Sequence, residues 1–280
     1  MQGELYIDNI DVYTTFGLSV VEQGYTDLIA WPALKPVDFN DWHERDGIEP
    51  DLSAPVLDKH EFTLSLAGRT PRAKADAFIA AFGNNGAYHT LRSDEILRQY
   101  DVRLVSADPV DEQCGICFVT ITLADDFPLK GYTPLAPRST IAPYNDYAID
   151  DKLFTDYGVN ILEGSLAEIT RTPDVKTNLE RSVASLPGLM YDAEVVRYKE
   201  YDATLHCLMR AQTLTELWRN YDALLYNLVQ PEPRYIGVSA VSKRYPCYYQ
   251  SQRVNRFYGT GKIWLEFEIR IKVFAKPEII

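Results

Sequence analysis

The feature that most constrains the fold is a stretch near the N-terminus that returns in the second half of the chain. Residues 7–22 read IDNIDVYTTFGLSVVE, and residues 149–163 read IDDKLFTDYGVNILE, with one residue fewer. Both copies contain Ile-Asp, an acidic polar bend, an aromatic-Gly step and an alternating segment that ends in Glu. A match of this length indicates an internal duplication. We expect the first strand of each copy here, with Gly17 and Gly158 at matching bends.

The composition favours a globular, β-rich chain with two domains. The 280 residues are enough for two domains of ordinary size. The chain is 46% hydrophobic and contains 19 Tyr, which favours β structure over disorder. Residues 1–6 lack the basic and apolar segments of a secretory signal, so we predict none. We also predict no membrane contact, because no run of about 18 apolar residues occurs.

The charge is divided unevenly between the two halves. Residues 1–131 contain 22 acidic and 10 basic side chains, whereas residues 132–280 contain 18 of each, which gives a net charge of -12. Phosphate contacts need Lys and Arg. The first half is therefore poorly suited to sequence-independent binding of nucleic acid. The four cysteines are too few for a disulfide scaffold and favour a reducing compartment during folding.

The same order of strands and one helix is predicted in both halves. Thr70 and Pro71 are typical of a helix start for residues 72–82, and Gly83 to Gly86 of its end. Thr213 and Glu216 form a capping box before an apolar helical stripe that runs to Leu228. Alternation predicts strands at residues 60–66, 88–91, 100–105 and 115–123, and at residues 203–208, 235–238, 245–252 and 263–274.

Residues 132–146 separate the two halves. They contain three prolines and no hydrophobic period, which is typical of a stiff linker. We therefore predict a first domain at 1–131, a Pro-rich linker at 132–146 and a second domain at 147–280. The predicted fold class is α+β, mainly β: a tandem duplication of a β-sheet or barrel domain, each with one packed helix.

No catalytic signature is found in the sequence. The C-x-x-C at Cys114 to Cys117 has no second ligand pair and enters a strand, so we interpret both cysteines as structural. His43, His60, His89 and His206 show no metal-ligand spacing, and the acidic pairs are adjacent in sequence, where neighbouring side chains of a strand point apart. We predict no enzyme, no cofactor, and no catalytic, cofactor-binding or metal residues.

The segment from Lys35 to Pro55 is longer than a compact domain needs for a connection. It has Phe39 and Trp42 among charged residues. One of its turns consists of Arg45-Asp46-Gly47. Long segments of this kind are often binding elements, although a plain surface excursion is the alternative. Leu186-Pro187-Gly188 occupies the corresponding place 141 positions later.

This order of features resembles the distal tail proteins of long-tailed bacteriophages and, more broadly, the tail-tube and baseplate-hub family. In that family an N-terminal strand ending in Gly leads to a long hairpin or loop with an Arg-Asp-Gly-like turn, then to an apolar strand, a helix and closing strands. The first half follows this order from Gly17 to Leu123. The second half follows it with Gly158 and with 186–188, which lack the Arg-Asp pair.

The resemblance implies two tail-tube-like domains in a structural protein of a phage or prophage virion tail. Such a distal-tail or hub ring protein would connect the tail tube to the tip and would be assembled in the bacterial host cytoplasm. The implied partners are copies of the chain, as a trimeric pseudo-hexamer or a hexamer, other tail proteins, and DNA that passes through the lumen without specific binding. Distal tail proteins often have one tube-like domain and a galectin-like C-terminal sandwich, and hub proteins have two tube-like domains and extra domains, whereas we expect two tube-like domains in this sequence.

The same resemblance implies an inter-subunit loop in each half. Its residues would be Phe39, Trp42, Arg45, Asp46, Gly47, Leu186, Pro187 and Gly188. An alternative function of another class is a tandem β-domain adhesin or carbohydrate-binding module. Exposed aromatic side chains in a groove would support this alternative. An enzyme is a third alternative, with no motif in its favour.

Overall fold

The computed structural model describes residues 3–83, 86–141, 146–177, 180–185, 187–188, 190–191 and 196–279. Within these residues the chain is mainly β, with one large antiparallel sheet formed by each half. The prediction of a mainly β, α+β fold is therefore confirmed. The first-half elements are β1 Leu5–Ile7, β2 Ile10–Asp11, α1 Val12–Phe16, β3 Ser19–Val20, α2 Thr26–Ile29, β4 Phe39–Asn40, β5 Glu49–Pro50, β6 His60–Gly68, α3 Arg72–Ala81, β7 His89–Ser93, β8 Arg98–Ala107, β9 Asp111–Gln113 and β10 Ile116–Asp125.

The second half contains corresponding elements and two short 3₁₀ helices, Phe154–Tyr157 and Ser239–Val241. Its elements are β11 Tyr147–Ile149, β12 Lys152–Leu153, β13 Val159–Ile161, α4 Ser165–Thr170, β14 Glu180–Arg181, β15 Met190–Tyr191, β16 Tyr201–Ala211, α5 Leu214–Leu228, β17 Arg234–Val238, β18 Lys243–Tyr258, β19 Ile263–Val273 and β20 Glu278–Ile279.

The two sheets have corresponding strand orders. The first runs β2-β1-β7-β8-β10-β6-β3, and the second runs β12-β11-β17-β18-β19-β16-β13. One further strand pairs with each path, β9 with β10 and β20 with β18. This correspondence is what a duplication would produce, and the duplication itself stays a prediction.

The register of the long strands follows their hydrophobic alternation, because a shift by one residue would turn every apolar side chain to the wrong face. Leu64 lies opposite Ile121 in the first sheet, and Leu205 lies opposite Ile269 in the second. All four side chains are fully buried. The predicted inward faces of these strands are therefore observed.

Each sheet contains a β-bulge at the same place in its topology. In β8, Val105 has no partner on β10, because Leu104 pairs with Leu123 and Ser106 pairs with Thr122. In β18, Gln250 is the extra residue between Tyr249 and Ser251. A bulge bends its strand and leaves one residue outside the ladder.

Helix α5 begins as the sequence predicts. The Thr213 hydroxyl accepts a hydrogen bond from the Glu216 amide, at 3.1 Å, and the apolar stripe of the helix is buried. The Glu216 carboxylate accepts from the amides of Gln212, at 3.1 Å, and Thr140, at 2.7 Å. The side chain therefore ties the start of the helix to the segment between the halves.

The predicted cap of α3 was wrong by one residue. The extended residue before the helix is Pro71, and no side chain caps it. The carbonyl of Thr70 instead accepts a hydrogen bond from the Cys117 thiol, at 3.2 Å. Phe78 and Phe82 are buried one turn apart, and their rings meet edge to face with centroids 5.5 Å apart.

The repeated opening stretch is not one strand. In the first copy a tight hairpin of β1 and β2 leads into α1, and Gly17 ends that helix in the left-handed region, at φ +74°. In the second copy Gly158 ends a 3₁₀ turn at φ +73°. The bends at Gly17 and Gly158 are confirmed, but the helical turn before each was not predicted, since five residues are too few to show a helical period.

The segment between the halves packs along α5. Of residues 132–146, the structure describes 132–141 and 146. The amide of Arg138 donates to Asn220 Oδ1, at 2.7 Å, and the Asn220 amide group donates to the Arg138 carbonyl, at 3.1 Å. Asn220 is a buried polar residue, and this pairing satisfies its side chain. The domain boundaries stay a prediction.

Each half extends a long arm between its short opening strands and its first long strand. We define arm 1 as residues 30–58 and arm 2 as the described residues among 171–199. Strands β4 and β5 pair within arm 1, and β14 and β15 pair within arm 2. Each arm also has one isolated bridge at its base, Leu34 with Leu57 and Val175 with Tyr198.

Candidate interaction surface

Arm 1 leaves its own sheet and lies on the second sheet. The amide of Leu34 donates to the carbonyl of Gln250, at 2.8 Å, so the arm binds at the bulge of β18. The amide of Trp31 donates to Gln252 Oε1, also at 2.8 Å. Arm 1 therefore uses one carbonyl group that the bulge leaves open on the edge of β18, together with the Gln252 side chain.

Trp31 anchors arm 1 in an aromatic cluster of the second half. Its ring centroid lies 4.5 Å from that of Tyr221, 6.2 Å from that of Tyr249 and 5.6 Å from that of Phe267. The hydroxyl of Tyr249 donates to the Pro32 carbonyl, at 2.7 Å. Large buried aromatics dominate the energetics of such contacts, so Trp31 is the main apolar anchor of arm 1.

The tip of arm 1, residues 41–48, contacts the end of β19 and the base of arm 2. Gly47 has φ +68°, and a β-carbon added there would lie 1.6 Å from the Phe274 carbonyl oxygen. The Gly47 amide donates to the Tyr198 carbonyl, at 2.7 Å, and the Ile48 amide donates to the Phe274 carbonyl, at 2.9 Å. Both the backbone conformation and the close approach therefore require glycine at position 47.

Asp46 is held by three groups of the second half. Its carboxylate accepts from the Tyr198 amide, at 2.9 Å, and lies 2.8 Å from Lys276 Nζ and 3.7 Å from Arg197. Burial would raise the pKa of Asp46, but the Lys276 hydrogen bond and the Tyr198 amide outweigh it, so the pKa lies below its usual value. Asp46 is therefore ionised at neutral pH.

Lys176, at the base of arm 2, is buried beneath the tip of arm 1. Its ammonium group donates to the carbonyl oxygens of Trp42, at 3.0 Å, and Gly47, and it pairs with the Asp41 carboxylate. Its side chain is only 4% exposed. A buried ammonium group needs such partners, so Lys176 and the tip of arm 1 form one polar contact.

The predicted loop residues divide into two groups. Asp46, Gly47 and the backbone of Trp42 contact the second half of their own chain, which was not predicted. Arg45 is exposed, and so are Phe39 and Trp42, at 54% and 48%. The Trp42 indole donates to Glu49, at 2.9 Å. In arm 2, Pro187 and Gly188 are exposed and Leu186 lies outside the described residues. A role between subunits stays a prediction for all eight.

A second contact joins the halves beside arm 1. Arg98 of β8 donates two hydrogen bonds to the Asp222 carboxylate of α5, at 2.8 and 2.6 Å. Its guanidinium group also lies 4.3 Å from the centroid of the Trp218 ring, whose indole donates to the Ile96 carbonyl. A bidentate pair of this kind fixes orientation as well as contributing energy, so β8 and α5 are held in one arrangement.

A cleft of about 560 Å³ lies between the halves near this contact. Tyr88 and Phe127 line it, are 52% and 58% exposed, and have ring centroids 6.4 Å apart. Asp125 also lines the cleft, and burial raises its pKa above the usual value. The cleft therefore offers aromatic faces and a carboxyl group to a polar ligand.

No chemical centre is evident in the described part of the chain. Among those residues, no three His, Cys, Asp or Glu side chains are placed to hold a metal ion. Cys114 and Gly115 form the two-residue turn between β9 and β10, so the C-x-x-C does enter a strand. Across the same residues, no helix is both long and apolar enough to cross a membrane.

The sequence did not reveal the residues that join the halves. Trp31 was interpreted only as part of a proline-extended segment, and neither Lys176 nor Tyr198 stood out. An isolated Trp beside Pro32 and Pro36 carries no information about which surface it meets. A comparison of the two repeats could have identified Lys176, because Lys35 stands 141 positions before it.

Comparisons with known proteins include a structural likeness that spans nearly the whole chain. No protein-family model matches the sequence, and no relative is found among curated proteins. A solved structure described as the Dit protein (gp 19.1) of phage SPP1, "a Paradigm of Hub Adsorption Apparatus in Gram-positive Infecting Phages", is similar to this chain. The identity is 8%, the match covers 96% of this chain and 97% of that chain, and the TM-score is 0.35. A TM-score of this size does not establish a shared fold.

Proposed function

We propose that this chain is a structural component of a phage or phage-like tail, a distal-tail or hub ring protein that connects the tail tube to the tip. The observation that carries the proposal is the repeated arm. Each half has the same strand order and an arm at the same place, and arm 1 lies on the sheet of the next half. A ring of repeated units needs such a head-to-tail contact between each unit and its neighbour.

In this proposal the two halves, 1–131 and 147–280, are tandem tail-tube-like domains that arose by duplication, joined by 132–146. Three chains would then supply six units as a pseudo-hexamer, and six chains would form a hexamer. The exposed loop residues of both arms would contact neighbouring copies or other tail proteins. The assembled protein would belong to the virion tail, formed in the cytoplasm of a bacterial host.

The charge of the chain is compatible with a lumen through which DNA passes. The net charge is -12, and the excess of acidic side chains lies in residues 1–131. A wall rich in Lys and Arg would bind phosphates, whereas an acidic or neutral wall lets them pass. The protein in this role performs no chemistry and needs no cofactor.

The mass of the purified protein in solution tests the proposal. We expect a discrete oligomer of three or six chains of 31.9 kDa by light scattering, and rings with a central hole in negatively stained images. Addition of double-stranded DNA at moderate salt should cause no shift in electrophoretic mobility. A monodisperse monomer at every concentration tested, with no rings, would contradict the proposal.

The cleft favours one alternative, a carbohydrate-binding module or adhesin built from the two β domains. Exposed aromatic faces such as those of Tyr88 and Phe127 are suited to stack on sugar rings. A glycan array distinguishes the two functions. Clear hits that disappear in the Tyr88→Ala variant would favour the binding module. An array without hits would favour the ring protein.

A further inference from the structure

Arm 1 and arm 2 have the same backbone pattern at their bases. The Lys35 amide donates to the Val56 carbonyl, at 2.9 Å, and the Lys176 amide donates to the Arg197 carbonyl, at 2.8 Å. Lys176 and Arg197 each stand 141 positions after their counterparts in arm 1. By the same offset, Val175 corresponds to Leu34, the residue that binds the bulge of β18.

The surface that receives Leu34 also has a counterpart. Leu34 donates to the carbonyl of Gln250, the bulge residue of β18. The bulge residue of β8 is Val105, at the same place in the first sheet. If each sheet receives an arm at its bulge, the carbonyl of Val105 is the acceptor that corresponds to the carbonyl of Gln250.

The edge of β8 around Val105 is open. We call residues 103–107 the receiving edge. β7 pairs with β8 only as far as Val102, and no other described strand lies on that side of the receiving edge. Val105 is 41% exposed. An open strand edge with an apolar side chain readily pairs with another chain unless something covers it.

Among its described residues, arm 2 lacks the counterpart of the contact that arm 1 makes. Leu34 is partly buried against the second sheet, whereas Val175 is 53% exposed. Lys176 is buried under the tip of arm 1, whereas Lys35 is exposed. Gly188 has φ +92°, yet a β-carbon added there would meet no described atom within 4 Å, unlike one at Gly47. One arm and one receiving edge are therefore left over in each chain.

We infer that these two surfaces bind each other between copies: arm 2 of one chain lies on the receiving edge of a second copy. In this contact the Val175 amide donates to the Val105 carbonyl of the neighbour, as the Leu34 amide donates to the Gln250 carbonyl within the chain. The tip of arm 2, which includes Pro187 and Gly188, then covers Lys35 of the neighbour, as the tip of arm 1 covers Lys176. The occupant is a second copy because the chain already contains this interface once, with the same backbone pattern.

The contact between copies is less apolar than the contact within the chain. Thr172 stands where arm 1 has Trp31, and the receiving edge has Leu104 where β18 has Tyr249. The aromatic cluster that anchors arm 1 is therefore not repeated. We expect an assembly that depends on protein concentration, although each chain keeps its own halves together.

This inference rests on the proposed ring, and three variants test it separately. Val105→Arg and Val175→Arg place a long charged side chain in the contact from either side. Ile10→Arg is the matched control, because Ile10 is 44% exposed on β2, which is separated from β8 by β1 and β7 in the first sheet. All three positions are exposed, so far-ultraviolet circular dichroism and the melting temperature of the dilute protein should match the parent.

We expect both arm-contact variants to raise the dissociation constant of the oligomer by about tenfold or more, while Ile10→Arg leaves it within about twofold. Rings that persist unchanged in both Val105→Arg and Val175→Arg would overturn the inferred contact and leave the ring proposal standing. A parent protein that stays monomeric at every concentration would overturn both.

A cross-link tests the register of the contact directly. Val105→Cys and Val175→Cys are combined in a Cys114→Ser chain, because Cys114 is the exposed cysteine among the four. A short bismaleimide should then join chains into covalent dimers and higher species on a denaturing gel. The control chain with Ile10→Cys and Val175→Cys should give at least about tenfold less product. Equal cross-linking of the two chains would contradict the proposed register.

Discussion

Gly47 and Gly188 stand at corresponding places in the two arms, and both have a positive φ. At Gly47 the Phe274 carbonyl occupies the space where a side chain would start, so the structure of the single chain explains the glycine. At Gly188 the backbone conformation alone favours glycine. The same residue type is therefore required for different reasons in the isolated chain.

We predict that Gly47→Ala lowers the free energy of unfolding by about 3 kcal/mol or more, because it adds a clash with backbone to a strained φ. Gly188→Ala is the matched control and should cost about 1 kcal/mol, from the positive φ alone. Chemical denaturation of the dilute protein, with both variants in parallel, measures the difference. Equal losses would show that the Phe274 contact at the tip of arm 1 is not formed.

His60 gives the protein a pH dependence. It is 7% exposed, and burial lowers its pKa to about 4 although a hydrogen bond to the Asp27 carbonyl acts in the other direction. The unfolded chain, with a pKa of about 6.5, binds a proton that the folded chain does not bind between these pH values. The free energy of unfolding therefore falls as the pH drops from about 7 to about 4, by about 3 kcal/mol from this residue.

We predict that His60→Gln removes most of this dependence, because glutamine does not titrate. Unfolding by urea at pH 7.0 and pH 4.5 measures the change for the parent and the variant. His43→Gln, at an exposed histidine of arm 1, is the control and should keep the slope of the parent. A parent stability that is flat over this range would contradict a buried neutral His60.

At the scale of elements, the clearest sequence patterns belong to two paired long strands in each sheet. β6, β10, β16 and β19 alternate along most of their length, and α5 has a full capping box and an apolar stripe. Their faces and approximate bounds were therefore predictable. The contact of β8 with α5 through Arg98 and Asp222 was not, because a pair 124 residues apart leaves no local trace.

We predict that the Arg98–Asp222 pair stabilises the contact between β8 and α5. Both side chains are about one-fifth exposed, so solvent screens them little. A double-mutant cycle with Arg98→Ala and Asp222→Ala should give a coupling energy of about 1 to 3 kcal/mol. The exposed pair Arg244 and Glu278 serves as the comparison, for which a coupling below about 1 kcal/mol is expected.

Local patterns could be predicted from the sequence, whereas contacts between distant residues could not. Periodicity and turn chemistry are local, so they predicted strand faces, the entry of the C-x-x-C into a strand and the bends at Gly17 and Gly158. They missed the helical turn before each bend and assigned the cap of α3 to Thr70. The docking of arm 1 on β18 depends on a bulge at Gln250 and on the surroundings of Trp31, which only the folded chain reveals.

At the scale of the whole molecule, the two halves share one hydrophobic core. A single cluster contains Phe16 and Phe78 of the first half, Tyr221 and Phe267 of the second, and Trp31 of arm 1. A smaller cluster joins Ile48 and Leu52 of arm 1 to Tyr248 and Phe274. Neither half is therefore complete on its own, although each has a full sheet.

We predict that the chain unfolds in one cooperative transition. Calorimetry should give a van't Hoff enthalpy equal to the measured enthalpy for the dilute protein. The separate fragment 1–131 should expose Trp31 and aggregate, whereas fragment 147–280 mixed with it should restore a soluble complex. Two separate transitions, or two fragments that are each stable alone, would show that the contacts of arm 1 are weak.

The binding of arm 1 at Gln250 has a further consequence for assembly kinetics. Since both partners of this contact belong to one polypeptide, they meet at a high effective molarity, and their association is a first-order event of chain folding. In a six-unit ring built from this chain, every second interface would thus resist dilution. Closure would need three molecules to meet instead of six, so the rate of ring formation would depend less steeply on expression level.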